Sequence, residues 1–461
     1  MKVKFSKYVL LLLPLFLPLS GDSLAAQADC RSLIRAERDG KFGMLDDEVR
    51  EAIPFEYDWL GAFNEGWAAA QRGTQWVYLD TRGEVMLDLG DRYTWCGTFH
   101  EGKAVVTTQS VSLDDSKQYW KIPADSLRFI DRSGRELFTL DSKAMRLDRP
   151  LAQSLRFSGD RLLVHHRPLE DHPDWEKQLS YLLCGYVDTL GRMSVPAMFH
   201  HTGYPVQHFS EGRAGATLQN LSRYDTDPVK AGFGFIDTSG AWVIPPRFHS
   251  IQSFRYGAAL VQDDREPKLP SRYYLIDDQG EHLFPPEVET ASKYLRDSLV
   301  AVYRDSRTEW NTWDFQNMRA AIARTDGTYV TDFTFTHLRP GKTATDWWSA
   351  ATGEYGQPVG FVDDTGNWTI PPRFARCVRP FEHGLAVVEM LEPMGQHAVI
   401  RLDGSFVLPP SERARYFLYG GVILRDFGVA PDDPHGYDYF NRRGELLDFS
   451  GYRLWGQYRC L

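Results

Sequence analysis

The chain has 461 residues, of which 13% are aromatic, 43% hydrophobic and 25% charged. That composition excludes a disordered protein. The net charge of −10 argues against a general nucleic-acid binder, which needs a basic face. Length alone fits about three domains, unless an internal repeat sets the organisation instead.

The N-terminus reads as an address. Lys2, Lys4 and Lys7 precede an apolar run, Tyr8 to Leu19, interrupted by Pro14 and Pro18. A spanning helix needs about 20 apolar residues, so this run is too short to be one. Small residues follow at Gly21, Ser23, Ala25 and Ala26. The layout is that of a secretory signal peptide, residues 1–26, cleaved near Ala25 or Ala26. Its removal takes away three lysines and Asp22, leaving a net charge of −12. Asp29 stands before Cys30, where a lipid-modification site takes a small residue. No later segment is apolar enough to span a membrane, so the expectation is an exported protein, periplasmic or extracellular.

Export permits disulfides. The cysteines are Cys30, Cys96, Cys184, Cys377 and Cys460, an odd number with no CxxC spacing. A Cys30–Cys460 bond would tie the two ends together; the alternative is that both are free or pair elsewhere. The other three read as small buried apolar residues.

Beyond a short N-terminal segment, residues 27–39, one pattern recurs. Its clearest copy opens Gly232-Phe233-Gly234-Phe235-Ile236-Asp237-Thr238-Ser239-Gly240 and continues Ala241-Trp242-Val243-Ile244-Pro245-Pro246-Arg247-Phe248. It closes on Phe254, Gly257 and Ala258-Ala259-Leu260-Val261. A near-identical copy runs from Gly360 to Val388. The turn glycine recurs at 83, 134, 191, 240, 280, 327, 366, 404 and 444, in an Asp-x-x-Gly except at 327, 404 and 444. An earlier copy opens at Gly40, with Glu48-Val49 where the turn glycine would stand. About ten units with a basal period near 40 fill residues 40–450, leaving a tail of 451–461.

Each piece has a physical reading. Phe235-Ile236 and Trp242-Val243-Ile244 are β-favouring stretches around a turn. The Asp caps local N–H groups and the Gly takes positive φ. Pro-Pro offers no ladder donor, so it is expected to end the return strand. Ala-Ala-Leu-Val is a third short strand, buried on both faces. One unit is then a three-stranded antiparallel meander that buries its aromatic face only by stacking on neighbours.

The unit resembles the bacterial WG repeat, whose core runs Gly-Lys-Trp-Gly-Tyr-Ile-Asp, a Gly turn, Val-Ile-Pro, then Phe-Ser-Glu-Gly-Leu-Ala. Phe209-Ser210-Glu211-Gly212 matches that last element letter for letter. The naming Trp is replaced by Phe42, Phe233 and Cys184, and in the copy that keeps Trp76 the Gly becomes Val77. The resemblance implies an all-β repeat fold with extracytoplasmic roles, and supplies no catalytic residue. Ten three-stranded units exceed the 4–8 blades typical of propellers. That favours an open β-repeat superhelix; the alternative is a closed propeller-like ring.

Three long intervals hold insertions that combine Trp with charge. They carry Trp120; Trp175; and Arg307, Glu309, Trp310 and Trp313. In repeat arrays insertions map to loops and often to one binding face. Trp beside charged groups stacks on sugars or grips peptides; the plainer alternative is that these rings pack back onto the array. His165, His166 and His172, with Glu170 and Asp171, are the sharpest metal candidates, yet Pro168 and Pro173 break any helix that would set ligand spacing. Adjacent His165 and His166 on a strand would face opposite ways. No nucleophile elbow, phosphate loop or dinucleotide fingerprint occurs, so catalysis is uncertain and no cofactor is expected. The leading reading is an exported, non-catalytic scaffold binding a protein or an envelope glycan. The alternatives are a carboxylate-dependent carbohydrate hydrolase and a metal-binding module.

Overall fold

A computed structural model describes residues 32–110, 112–113, 120–121, 127–140, 155–166, 183–200, 207–218, 232–262, 273–285, 287–290, 295–304, 319–354, 356–412, 414–419, 422–426 and 437–460. No helix occurs among them; the described chain is strand, turn and loop.

The described strands form ten antiparallel meanders, here units 1 to 10 in chain order, of which units 6 to 9 are linked into one 13-stranded ladder. Unit 2 shows the plan: Trp59–Leu60, Ala68–Arg72, Gln75–Leu79 and Val85–Gly90, each paired with the next. Units are thus built on four strands rather than the expected three. The strand missed in the sequence is the first, often two residues long and too short to show an alternation. The Ala-Ala-Leu-Val segment is the second strand of the following unit: Ala259–Gln262 pairs with Tyr273–Ile276. It is buried throughout, as expected. Sequence copies therefore straddle two structural units.

That offset has a consequence at the ends. Unit 1 takes its second to fourth strands from Ser32–Arg38, Lys41–Leu45 and Glu51–Tyr57, and its first from Arg453–Cys460. Ile34 pairs with Tyr458 and Ala36 with Leu454. The segments flanking the repeats in the sequence thus both contain strands. Between units 10 and 1, Val422 and Leu447 pack on Ile34, Ala36 and Leu45. Arg443 forms an ion pair with Glu48 across the same seam, at 2.6 Å. The other cores likewise join neighbours in order, Leu33 to Leu79 across units 1 and 2, Phe233 to Ile276 across units 5 and 6. The all-β repeat reading holds, and the array closes on itself as the ring alternative has it, not as an open superhelix. The physical reason is the shared first sheet: an open array would leave two unpaired edges, and pairing the last strand with the first removes both.

The turns that follow the first strands of neighbouring units are bonded directly, Asn64 Nδ2 to the Phe99 carbonyl at 2.6 Å and Ser210 Oγ to the Phe254 carbonyl at 2.6 Å. Fourth strands such as Val85–Gly90 are largely solvent-exposed. On that rim the ladder is one-sided, so Pro245-Pro246 does not end its strand, which continues through Trp242–Phe248. The prolines sit in a bulge: Phe235 pairs with Ile244 but Phe233 with Phe248. The bulge lies over Gly234, where a Cβ would collide with the Ile244 carbonyl and both prolines; Gly360 is hemmed in the same way by Ile370, Pro371 and Pro372. Where the glycine is replaced the shift shrinks or vanishes: one residue fewer is displaced at Val77 and at Ala398, and none at Arg128. Val77 pairs directly with Asp88, and Arg128 with Thr139.

Candidate functional site

A four-stranded meander has two edges. The first-to-second and third-to-fourth connections share one, here the turn edge. The second-to-third connections share the other, the loop edge, together with the links between units.

Chemistry on the turn edge is repetitive. Each Asp-x-x-Gly turn is closed by its aspartate: Asp237 Oδ1 accepts from Ser239 N (2.8 Å) and Ala241 N (3.1 Å), and Asp363 Oδ1 from Thr365 N (2.9 Å) and Asn367 N (3.0 Å). The Ser133 hydroxyl, then backbone N–H groups, hold Asp131 down to about 2. These recurring aspartates are turn residues, as expected. In the first copy Val49 takes the glycine's place at φ 62°, an unfavourable conformation for a β-branched residue.

A second device on this edge was missed in the sequence. The Glu of Phe-x-Glu-Gly reaches into the next unit and caps its turn. Glu211 accepts from Tyr256 N (2.6 Å) and Gly257 N (2.9 Å), and Glu101 from Gly159 N (2.7 Å) and Asp160 N (2.9 Å). Fully buried Asp346 does the same for His383 N (3.1 Å) and Gly384 N (2.8 Å). The visible signal was the glutamate in Phe209-Ser210-Glu211-Gly212; its partner lies one unit on, where no local motif points.

The loop edge is where the sequence-predicted site residues belong. Trp120 falls between Lys103–Thr107 and Leu127–Asp131 of unit 3. Trp175 falls between Arg161–His166 and Leu183–Val187 of unit 4. Arg307, Glu309, Trp310 and Trp313 fall between Leu299–Arg304 and Arg319–Arg324 of unit 7. All three are second-to-third connections, so all leave the ring from the same edge. In unit 3 the insertion carries its own hairpin, with Leu113 paired to Trp120. Trp175, Arg307, Glu309, Trp310 and Trp313 lie outside the described residues. Elsewhere the same connection shrinks to Asp39-Gly40 in unit 1 and Gly73-Thr74 in unit 2, so nothing in the ladder demands the long ones.

His165 and His166 end the second strand of unit 4 beside the base of the second insertion. His165 pairs with Cys184 and His166 with Leu183, which places the imidazoles on opposite faces, as expected. Burial pushes His166 below its usual range. His172 lies outside the described residues, and among those described no three His, Cys, Asp or Glu side chains gather as a metal set. Cys96 and Cys184 are buried and Cys377 half-buried, and Cys184 Sγ accepts from Gln207 Nε2 at 3.5 Å. Cys460 pairs with Ser32, two residues from Cys30, which is outside the described residues.

Comparison with known proteins adds the family. The family model of the WG containing repeat matches residues 42–76, 233–265 and 360–391. The chain carries WG repeats. The matched segments open on the third strands of units 1, 5 and 8, each bearing a glycine under a bulge. No curated protein matches the chain by sequence. Among solved structures it is similar to a eukaryotic initiation factor, at TM-score 0.44 and 11% identity over 93% of this chain and 97% of that one. It is also similar to an acylaminoacyl peptidase of Pyrococcus horikoshii, at TM-score 0.27 and 12% identity over 74% of this chain and 58% of that one. No helix among the described residues of this WG-repeat chain is long and apolar enough to cross a membrane.

Proposed function

We propose that this protein is an exported, non-catalytic WG-repeat ring that holds a protein or cell-envelope glycan ligand at its loop edge. The observation that carries the reading is topological: the three insertions combining Trp with charge all occupy the second-to-third connection, and so share one edge. The turn edge is largely spent on intramolecular hydrogen bonds, whereas the loop edge varies from two residues to the stretch 108–126 without cost to the ladder. Export is supported by the layout of residues 1–26.

The test is to replace residues 108–126, 167–182 and 305–318 by two-residue turns that copy Gly73-Thr74. Binding is then measured by co-sedimentation with isolated peptidoglycan and by pull-down from envelope extract. Binding lost at unchanged melting temperature supports the reading. Binding retained in full removes it. A glycan turned over by the intact protein, and abolished by one Asp or Glu substitution at unchanged stability, would replace it with the hydrolase alternative.

A further inference from the structure

We propose that the seam between the first turns of units 4 and 5 binds an oxyanion, a carboxylate or phosphate group carried by a ligand, on the N–H groups of Glu211 and Gly212. The site lies on the turn edge and is independent of the loop-edge reading.

The repeat supplies the precedent. In these turns two successive positive-φ residues aim adjacent N–H groups at the preceding unit, a concavity suited to anions. Where the preceding unit offers a carboxylate, it is taken: Glu65 by Glu101 N and Gly102 N, Glu101 by Gly159 N and Asp160 N, Glu211 by Tyr256 N and Gly257 N. Unit 4 breaks the series, because Gly159 stands where the capping glutamate would be. Its neighbour Asp160 is directed to Lys103, at 3.4 Å. The Glu211 carboxylate is committed to unit 6. The N–H groups of Glu211 and Gly212 therefore have no acceptor among the described residues. A side chain at position 159 is not readily accommodated, since its Cβ would stand 2.8 Å from that of Phe209.

Cations stand on the elements that flank this turn, Arg213 within range of the Asp237 carboxylate. Arg213 donates Nη1 to the Gly212 carbonyl at 3.4 Å, while its Nε is buried without a partner. Arg156, exposed, lies near both His100 and His208, whose imidazoles are lowered by burial first and by its charge second. His208 Nδ1 is also buried without a partner. The acidic groups nearby are otherwise engaged: Asp237 closes its own turn, and Glu65 is paired with Arg132 at 3.0 Å. The turn of unit 7 follows Tyr256 rather than a glutamate, and there the tyrosine hydroxyl reaches Asp297 at 3.4 Å. A backbone concavity flanked by arginine suits a single carboxylate, such as a peptide C-terminus, or a phosphate.

The experiment uses the full chain labelled with 15N-glycine at low ionic strength. It is titrated with inorganic phosphate, with a tetra-alanine peptide bearing a free C-terminal carboxylate, and with the amidated peptide. The Gly212 amide resonance should move saturably with either anion and stay still with the amide. Gly102 and Gly257, already capped by Glu65 and Glu211, should not move. Arg156→Gln should weaken the response about tenfold, the loss of one charged hydrogen bond. Movement with phosphate alone restricts the ligand to phosphate, and movement with the peptide alone to carboxylate. A static Gly212, equal movement of all three glycines, or an unchanged response in Arg156→Gln overturns the proposal.

Discussion

The two edges of the ring are made from the same ten units but obey different rules. On the turn edge, the described connections run from two to eight residues, many closed by an aspartate within the unit and in several places by a carboxylate from the unit before. On the loop edge the second-to-third connections range from Asp39-Gly40 to the stretch 108–126. The difference teaches where the fold's constraints lie. Ring closure, bulges and turn caps are satisfied by the strands and the turn edge, which frees the loop edge to carry side chains that the fold does not need.

The largest expected effect comes from breaking the frame that both edges share. Ending the chain before Arg453 removes the first strand of unit 1 and uncovers Ile34 and Ala36, so the variant should lose its cooperative thermal transition, as read by circular dichroism. Next is the glycine under the bulge. Gly360→Ala forces a Cβ into the Ile370 carbonyl and should cost about 3 kcal/mol or more in denaturant unfolding, whereas Val77→Ala, where the shift is smaller and a side chain already fits, should cost about 1 kcal/mol. Comparable losses for the two would remove the account of the WG glycine.

Removing a turn cap should be milder. Glu211→Ala leaves Tyr256 N and Gly257 N on an exposed turn, where water substitutes, and should cost about 1 kcal/mol in the same measurement. The remaining effect is on pH dependence. Burial, then Arg339, holds His337 down to about 4 in the folded chain, against an unfolded value near 6.5. A lowered histidine stabilises the fold fully above 6.5, and that contribution is lost as pH falls toward 4, because the unfolded chain binds the proton first. His208 acts in the same sense. The melting temperature should fall between pH 6.5 and 4, and His337→Asn should flatten the slope; an unchanged slope would place the dependence elsewhere.

Much of the turn edge was legible in the sequence, because its signals are local. Asp237 and Gly240 make one turn, and the Ala258–Val261 run announces burial by composition alone. The glutamate of Phe-Ser-Glu-Gly was visible, but its partners lie in the next unit, some 45 residues on. Trp59–Leu60 is too short for a periodicity to mark it as a strand. Closure depends on pairing Ser32–Arg38 with Arg453–Cys460, a contact that no spacing within the repeat encodes. The insertions stood out as lengthened intervals; that they share one edge followed only once the fourth strand was known.

Closure is the claim on which the two-edge description rests, and it can be tested with one cross-link. The register sets Ser32 opposite Cys460. In a Cys30→Ser, Ser32→Cys chain, mild oxidation followed by non-reducing mass mapping should recover an intramolecular bond between positions 32 and 460, without dimer formation or loss of the thermal transition. A folded chain in which Cys460 stays a free thiol or bonds only to a second molecule would contradict the ring.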